Sequence, residues 1–140
     1  MGRFIRQRVR ILVVDDHPVV RRSICAVLRA EPDFEVISEA ADGAQAVEKA
    51  EELQPDVVVL DISMPGMDGL AAARRIRRVD PSAEILFLSQ HDAVEIIRQA
   101  FRMGGRGYVL KSDAGKELTP AVRAVSEKKQ YVNARFAAQL

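Results

Sequence analysis

The sequence predicts a doubly wound α/β domain of the flavodoxin-like (βα)5 type, in which helices cover both faces of a five-stranded parallel sheet. Short β-branched apolar runs alternate along the chain with stretches whose apolar residues recur every three or four positions. The short runs are continuously apolar, as expected for strands that are buried on both faces. A length of 140 residues suits one domain with its own core. The strand order expected for this fold is 2-1-3-4-5.

The five apolar runs that are predicted to be strands span residues 9–14, 34–38, 57–60, 85–88 and 107–110. Five amphipathic helices are predicted from these apolar positions: Val20, Ile24, Val27 and Leu28; Ala46, Val47, Ala50 and Leu53; Leu70, Ala73 and Ile76; Val94, Ile97 and Phe101; Leu118, Val122 and Val125. The domain is expected to span residues 9–129. Residues 1–8 are expected to be a leader, and residues 130–140 a tail or the start of a linker.

Local signals predict where the helices begin and end. Pro18 suits the first turn of the first helix, and Asp42 and Asp92 are predicted to cap the second and fourth helices. The glycines after Met103 are predicted to end the fourth helix. Pro120 is early in the last helix, where it either falls in the first turn or causes a kink.

Composition and charge exclude several classes of function. Lysine and arginine total 21 and aspartate and glutamate total 20, so the net charge of +1 does not draw the whole chain to nucleic acid or to an anionic membrane. The one cysteine, Cys25, cannot form an internal disulfide and is expected to be a packed thiol. No apolar run is long enough for a membrane span. A cytoplasmic location is predicted.

Polar side chains follow four of the predicted strands, at the edge of the sheet where this fold binds ligands. Asp15 and Asp16 follow the first strand and Asp61 the third, while Ser89 and Lys111 follow the fourth and fifth. Each residue alone would usually be a cap or a solvated turn residue, but three converging carboxylates repel one another and need a counter-ion. Oxygen ligands suit a hard cation such as Mg²⁺. Asp61 is therefore interpreted as a nucleophile beside a metal, with the Lys111 ammonium ready to meet a phosphoryl group.

Two other functions fit the site less well. A nucleotide or flavin site needs a glycine-rich first loop, whereas the sequence here is D-D-H-P. An aspartate-nucleophile phosphatase needs a second acid close to the nucleophile, and the residues after Asp61 are I-S-M-P. The phosphatase remains an alternative.

Four segments together resemble a known family: V-V-D-D-H, V-V-L-D-I-S-M-P-G-M-D-G, I-L-F-L-S-Q-H and G-Y-V-L-K-S. They resemble the receiver domain of bacterial two-component response regulators, and most of all the NarL/FixJ subgroup, whose output is a LuxR-type helix-turn-helix. The resemblance covers residues 9–129.

The resemblance implies that Asp61 accepts a phosphoryl group from the phosphohistidine of a sensor histidine kinase. It implies that Mg²⁺, or Mn²⁺, is held by Asp16, Asp61 and the backbone carbonyl of Ser63, with Asp15 contributing through water. Lys111 would bind the phosphoryl group. Such a protein catalyses its own phosphorylation and dephosphorylation and is not a turnover enzyme.

The same resemblance implies a switch. Ser89 would move to hydrogen-bond the phosphoryl group, and Tyr108 would turn inward behind it. Ser63 and His91 flank the phosphoryl position and are candidates for tuning hydrolysis, whereas His17 is expected to be a solvated loop residue. Many family members have proline after the active-site lysine, but here Ser112 follows Lys111, so a cis peptide there would be costly.

Switching is expected to change the surface of the fourth helix, fifth strand and fifth helix, which carries these basic residues: Arg98, Arg102, Arg106 and Lys116. This surface is predicted to bind a partner or to form a homodimer on phosphorylation, with the surface around the first and fifth helices as the alternative; a basic face that is only solvated fits the same residues. The expected output is transcription, through a DNA-binding domain outside this chain. Because helix-turn-helix signals are absent, no direct DNA binding by this chain is predicted; a stand-alone receiver that acts through protein contacts is the alternative.

Overall fold

The computed structural model describes residues 8–140, which form a parallel sheet between two layers of helices. The strands are β1 (Val9–Val14), β2 (Phe34–Ala40), β3 (Val57–Leu60), β4 (Glu84–Ser89), β5 (Gly105–Leu110) and β6 (Tyr131–Val132). The helices are α1 (Pro18–Arg29), α2 (Gly43–Leu53), α3 (Gly69–Val79), α4 (Val94–Arg102), α5 (Ala114–Ser126) and α6 (Ala134–Ala137), with a 3-10 turn at Lys111–Asp113. The flavodoxin-like α/β architecture is as predicted.

The sheet has six strands in the order β2-β1-β3-β4-β5-β6, so the prediction of five strands was wrong by one. The additional strand pairs in parallel with β5, where Gly107 is opposite Tyr131 and Tyr108 is opposite Val132. Two residues are too few to show a periodic pattern, so the sequence signal for β6 is absent. Residues 130–140 were predicted to be a tail or the start of a linker, and Tyr131 and Val132 of this segment pair with the edge of the sheet.

Alternation along the strands builds two separate cores. In β1, Leu12 and Val14 face the layer of α2, α3 and α4, whereas Ile11 and Val13 face the layer of α1 and α5. Both sets are almost completely buried, which explains why the strands read as continuous apolar runs. Cys25 is fully buried in the second core, as expected of a packed thiol. Burial and the nearby Glu39 raise the pKa of this thiol to about 11.

Most helix ends agree with the local signals. Pro18 begins α1, and Asp42 caps α2 by accepting a hydrogen bond from the Gln45 backbone N–H at 2.8 Å. The prediction that Asp92 caps α4 was wrong, because α4 begins one residue later, after Ala93, without a side-chain cap. Gly104, at φ +106°, follows the end of α4, where its left-handed conformation suits glycine.

Pro120 lies inside α5, which continues to Ser126. The residue faces solvent. Because proline has no N–H, the carbonyl of Lys116 lacks its usual helical donor, and solvent can supply one on this face. None of the helices in residues 8–140 is long and apolar enough to cross a membrane.

Candidate functional site

The carboxylates of Asp15 and Asp61 meet because the strands before them are paired. Val14 and Leu60 are opposite one another in the β1–β3 ladder, so the chain leaves both strands at the same level. The Asp61 N–H donates to the Val14 carbonyl at 3.1 Å, which fixes the start of the loop after β3. Asp15 is fully buried and Asp61 is only 3% exposed. Two neighbouring carboxylates are thus held at the carboxyl edge of the sheet, as predicted.

Lys111 lies between these two carboxylates. Its Nζ donates a hydrogen bond to Asp61 Oδ2 at 3.1 Å and forms an ion pair with Asp15 Oδ2 at 2.8 Å. Burial opposes the charge on the ammonium, but hydrogen bonding and attraction to Asp15 and Asp61 outweigh burial and raise the pKa of Lys111. The ammonium is therefore a fixed positive charge at the site.

Asp61 experiences the opposite balance. Burial raises the pKa of its carboxyl group, although Lys111 and the Ile62 N–H, which donates to Oδ1 at 2.8 Å, both favour the ionised form. The repulsion from Asp15 adds to the effect of burial. Ionising the Asp61 carboxyl group in this buried position therefore costs free energy, and additional positive charge nearby would stabilise the ionised form.

Asp16 and His17 complete a cluster of side chains that could bind a metal ion. One ligand atom from each of Asp15, Asp16, His17 and Asp61 lies within 4.8 Å of the others. Asp15 Oδ1 accepts the His17 N–H at 2.8 Å, and Asp16 Oδ1 is 3.1 Å from His17 Nδ1. The His17 side chain is 66% exposed, in line with its expected place in a solvated loop.

The donor set fits a hard divalent cation. Within residues 8–140, Asp15 Oδ2 and Asp16 Oδ1 are buried and accept no well-aligned hydrogen bond, although Lys111 Nζ is 2.8 Å from Asp15 Oδ2 and His17 Nδ1 is 3.1 Å from Asp16 Oδ1. Three clustered carboxylates beside a single ammonium, Lys111 Nζ, favour a further cation such as Mg²⁺, which prefers oxygen ligands. Asp16 and Asp61 each present a carboxylate oxygen that can serve as a ligand.

Ser89 and Tyr108 are joined through the backbone of His91. Ser89 is fully buried, and its Oγ accepts the His91 N–H at 3.1 Å. The Tyr108 hydroxyl donates to the His91 carbonyl at 2.7 Å. Tyr108 is only 2% exposed, so its side chain is already turned inward in this structure, and burial raises the pKa of its phenol. The two predicted switch residues thus hold opposite ends of one peptide segment.

The two predicted tuning residues also meet. Ser63 Oγ and His91 Nε2 are 2.6 Å apart, so the loops after β3 and β4 are linked by a side-chain hydrogen bond at the mouth of the site. Seven of the eight predicted site residues lie at or just after strand ends on this edge of the sheet, whereas Tyr108 lies within β5 and contacts this edge through its hydroxyl. Residues 8–140 contain no cis peptide, so Lys111–Ser112 is trans.

Sequence reasoning missed two features of the site. Arg21 Nη1 donates to the Asp15 carbonyl at 2.7 Å and its Nε bonds to Glu39, which anchors the first loop from α1. An arginine on a helix carries no sequence signal for that contact. Asp68 caps α3 by accepting the Ala71 N–H at 2.8 Å and thereby orders the end of the Asp61 loop.

The predicted switch surface is partly covered by the C-terminal residues. Asn133 Nδ2 donates to Glu117 on α5 at 2.7 Å, and Arg98 on α4 donates to the Gln139 carbonyl at 2.5 Å. Val132 and Phe136 pack against the core beneath. Residues 131–140 thus bridge α4 and α5 over the edge of β5.

Comparison with known proteins decides the family. Residues 11–123 match the model of the response regulator receiver domain. The chain belongs to this family. It is 38% identical over 133 residues to the oxygen regulatory protein NreC of Staphylococcus haemolyticus, an alignment that covers 94% of this chain and 61% of that protein.

Solved receiver structures agree. The LuxR-family response regulator of Aurantimonas sp. superposes with a TM-score of 0.89 at 36% identity and 94% coverage of both chains. The receiver domain of the putative regulator NarL from Mycobacterium tuberculosis gives a TM-score of 0.84 at 36% identity, covering 88% of this chain and 99% of that one. The receiver therefore belongs to the NarL/FixJ subgroup. Members of the family are signalling proteins, and this chain spans about three fifths of the length of curated relatives such as NreC.

Proposed function

We propose that this receiver accepts a phosphoryl group on Asp61 from the phosphohistidine of a sensor histidine kinase. The observation that carries the proposal is the position of the Asp61 carboxylate, which is nearly buried, bonded to Lys111 and adjacent to the Asp15 and Asp16 carboxylates. The packing of the core does not explain this concentration of charge, which is typical of a functional site.

Mg²⁺ is the proposed cofactor, with Mn²⁺ as a substitute of similar ligand preference. Asp16, Asp61 and the Ser63 carbonyl would hold it directly and Asp15 through water. When bound, the ion would neutralise charge on the carboxylates and on an incoming phosphoryl group. The cluster of three carboxylates beside one ammonium, Lys111 Nζ, supports this assignment.

The chain's own groups have distinct tasks in the transfer. An oxygen of the ionised Asp61 carboxylate would form the new P–O bond while the P–N bond to the kinase histidine breaks. Lys111 Nζ already touches Asp61 Oδ2, so it can donate to the phosphoryl oxygens without a large movement. Transfer is mainly a matter of position and charge, which this cluster supplies.

Switching would begin at Ser89. Its Oγ accepts the His91 N–H here, so a movement of Ser89 toward a new phosphoryl oxygen would stretch or break this hydrogen bond. The His91 carbonyl accepts the hydrogen bond of the Tyr108 hydroxyl. Movement of this peptide segment would therefore weaken or redirect that hydrogen bond. Tyr108 is opposite Val132 in the sheet, so the change would reach residues 131–140 on the α4–β5–α5 surface.

The proposed partners follow from the exposed surfaces. Because residues 131–140 cover part of the α4–β5–α5 surface, we favour the α1–α5 surface for docking the kinase. It presents Val19, which is 70% exposed, and a groove lined by Val27 and Leu118 that reaches Lys111. Release of the α4–β5–α5 surface would then allow homodimerisation. Control of transcription through a DNA-binding domain outside this chain is the proposed output, and residues 9–129 are the proposed receiver unit.

The test is phosphorylation in solution. With Mg²⁺ and acetyl phosphate, intact-mass spectrometry should show a single added phosphoryl group per chain, which is not added when EDTA removes the metal. The control variant Asp92→Asn should be labelled like the wild-type chain, since Asp92 is an exposed carboxylate on the loop after β4 and is not needed for phosphorylation. Labelling that persists in EDTA would contradict the proposed metal dependence.

A further inference from the structure

Helices α2 and α3 lie side by side at the same height on one face of the sheet. At their amino ends, Gly43 approaches Met67 so closely that a Cβ on the glycine would be 2.6 Å from the Met67 carbonyl oxygen. At their carboxyl ends, Gln54 Nε2 donates to the Val79 carbonyl at 3.2 Å. The two helices therefore run in the same direction with about the same start and end.

The solvent faces of these two helices carry opposite charges. Glu48, Glu51 and Glu52 are exposed on α2, and Arg74, Arg75 and Arg78 are exposed on α3. Their spacings place each set on the face opposite the buried alanines of its helix. The result is an acidic stripe beside a basic stripe, at matching heights.

These six side chains are unpaired. Across residues 8–140, none of the six side chains has an ion pair or side-chain hydrogen bond. Neighbouring charged residues behave differently: Arg77 donates to the carbonyls of Ala83 and Gly104, and Lys49 donates to the Glu39 carbonyl. The charges of the two stripes are therefore free to interact with a partner.

The arrangement discriminates between kinds of partner. A polyanion such as duplex DNA or an anionic membrane would gain from the arginines but would be repelled by the glutamates beside them. A partner that carries a basic stripe next to an acidic stripe would meet both with opposite charge. A second copy of this chain carries such a surface.

We propose that the α2–α3 face forms a symmetric contact with a second copy of this chain. A two-fold axis parallel to the helices, between α2 and α3, places α2 of each copy over α3 of the other. The same rotation keeps positions along the helices unchanged, so the glutamates at the height of the arginines in one chain face the arginines of its partner. The contact is isologous and closes at two chains.

The contact has two physical consequences. Exposed ion pairs are each weak, so association should be detected at high protein concentration and low salt. It should be lost between about 0.05 M and about 1 M salt, because the Debye length falls to about 3 Å at the higher value. Since neither stripe includes the Asp61 cluster, the contact should form with or without phosphorylation, and Asp61→Asn should leave it unchanged.

Charge-reversal variants test the proposal by sedimentation velocity at low and high salt. The Arg74→Glu, Arg75→Glu, Arg78→Glu variant and the Glu48→Arg, Glu51→Arg, Glu52→Arg variant should each be monomeric alone. An equimolar mixture of the two should associate, and the variant with all six substitutions should dimerise again because both stripes are exchanged. All six positions are exposed, and acetyl phosphate labelling with circular dichroism checks that each variant is folded.

Three results would overturn the proposal. The wild-type chain could stay monomeric at low salt and high concentration, or the six-fold variant could fail to dimerise while each triple variant is folded. Binding of a short DNA duplex or of anionic vesicles through the arginines, without self-association, would assign the basic stripe to a polyanion instead.

Discussion

Gly69 lies directly against the backbone of Asp61. A Cβ at position 69 would be 1.9 Å from the Asp61 carbonyl oxygen and 2.7 Å from Ile62 Cα, and the Gly69 N–H donates to the Ile62 carbonyl at 2.7 Å. The first residue of α3 is thus packed onto the residue that carries the proposed chemistry. Gly66, at φ +77°, makes the preceding turn. Together they hold the loop in one path.

Gly69→Ala should therefore displace the Asp61 loop. We expect a loss of about 1–3 kcal/mol in the free energy of unfolding, since the new methyl group cannot be accommodated without a backbone shift. Gly115→Ala is the matched control, because nothing lies within 4 Å of a Cβ there and the residue is inside α5. That control should be neutral or stabilising by up to about 1 kcal/mol. Urea unfolding measures both, and equal effects at the two positions would contradict the packing argument.

Asp61→Asn should stabilise the fold at neutral pH. Burial raises the pKa of Asp61 in the folded state. Such a group favours folding most when it is protonated, below its unfolded pKa, and this stability is lost as the pH rises through the folded pKa. The variant should therefore have the higher Tm at about pH 7, and the difference should narrow toward about pH 4, near the pKa of an unperturbed aspartate. A lower Tm of the variant at pH 7 would contradict this balance.

Mg²⁺ should offset the free-energy cost of the buried carboxylate charges in the wild-type chain. Binding to the Asp15, Asp16 and Asp61 carboxylates should raise the Tm of the wild-type chain and should do so much less in Asp16→Ala or Asp61→Asn. Differential scanning fluorimetry across a Mg²⁺ titration measures this. An equal shift in Asp16→Ala and in the wild-type chain would remove Asp16 from the metal site.

The hydrogen bond between Ser63 and His91 should slow hydrolysis of the phosphorylated protein. Ser63 Oγ and His91 Nε2 are 2.6 Å apart and join two loops at the mouth of the site, where we expect the bond to restrict the approach of water. Ser63→Ala and His91→Ala should each shorten the phosphoryl lifetime several-fold, and the double variant should add little, because either change breaks the same bond. Slower hydrolysis in His91→Ala would instead indicate that the imidazole assists water.

Phosphorylation should loosen residues 131–140. Tyr108 is opposite Val132 in the β5–β6 ladder, and its hydroxyl donates to the His91 carbonyl, which the proposed movement of Ser89 would displace. Hydrogen exchange at the backbone of β6 should become faster on phosphorylation and should respond much less in Ser89→Ala. Exchange in β2, at the far edge of the sheet, is the internal control. Unchanged protection of β6 would disconnect this segment from the switch.

Most of the candidate site could be predicted from sequence because it depends on strand ends. Periodicity located the ends of β1, β3, β4 and β5, and the parallel sheet then brought the Asp15, Asp61 and Lys111 side chains to one edge. Whether the carboxylates contact the ammonium depends on distances between side chains, which the spacing of residues along the sequence does not determine. The assignment of roles to Ser63 and His91 came from the family resemblance.

The features that sequence could not predict depend on tertiary contacts. The two residues of β6 pair with β5 only because Val132 and Phe136 find apolar partners at the edge of the core. Asp92 has the right chemistry for a cap, but the backbone reaches helical geometry only after Ala93. Arg21 anchors the Asp15 loop through a backbone carbonyl, an acceptor that every residue offers.

The most direct test of the account is the identity of the residue that carries the phosphoryl group. After incubation with Mg²⁺ and acetyl phosphate, borohydride trapping and peptide mapping should locate the label on Asp61, with none on Asp15, Asp16, His17 or His91. Asp61→Asn should abolish labelling and remain folded, whereas Lys111→Ala should weaken labelling without moving it. Label on a histidine, or rapid repeated turnover of unrelated phosphate esters, would contradict the account.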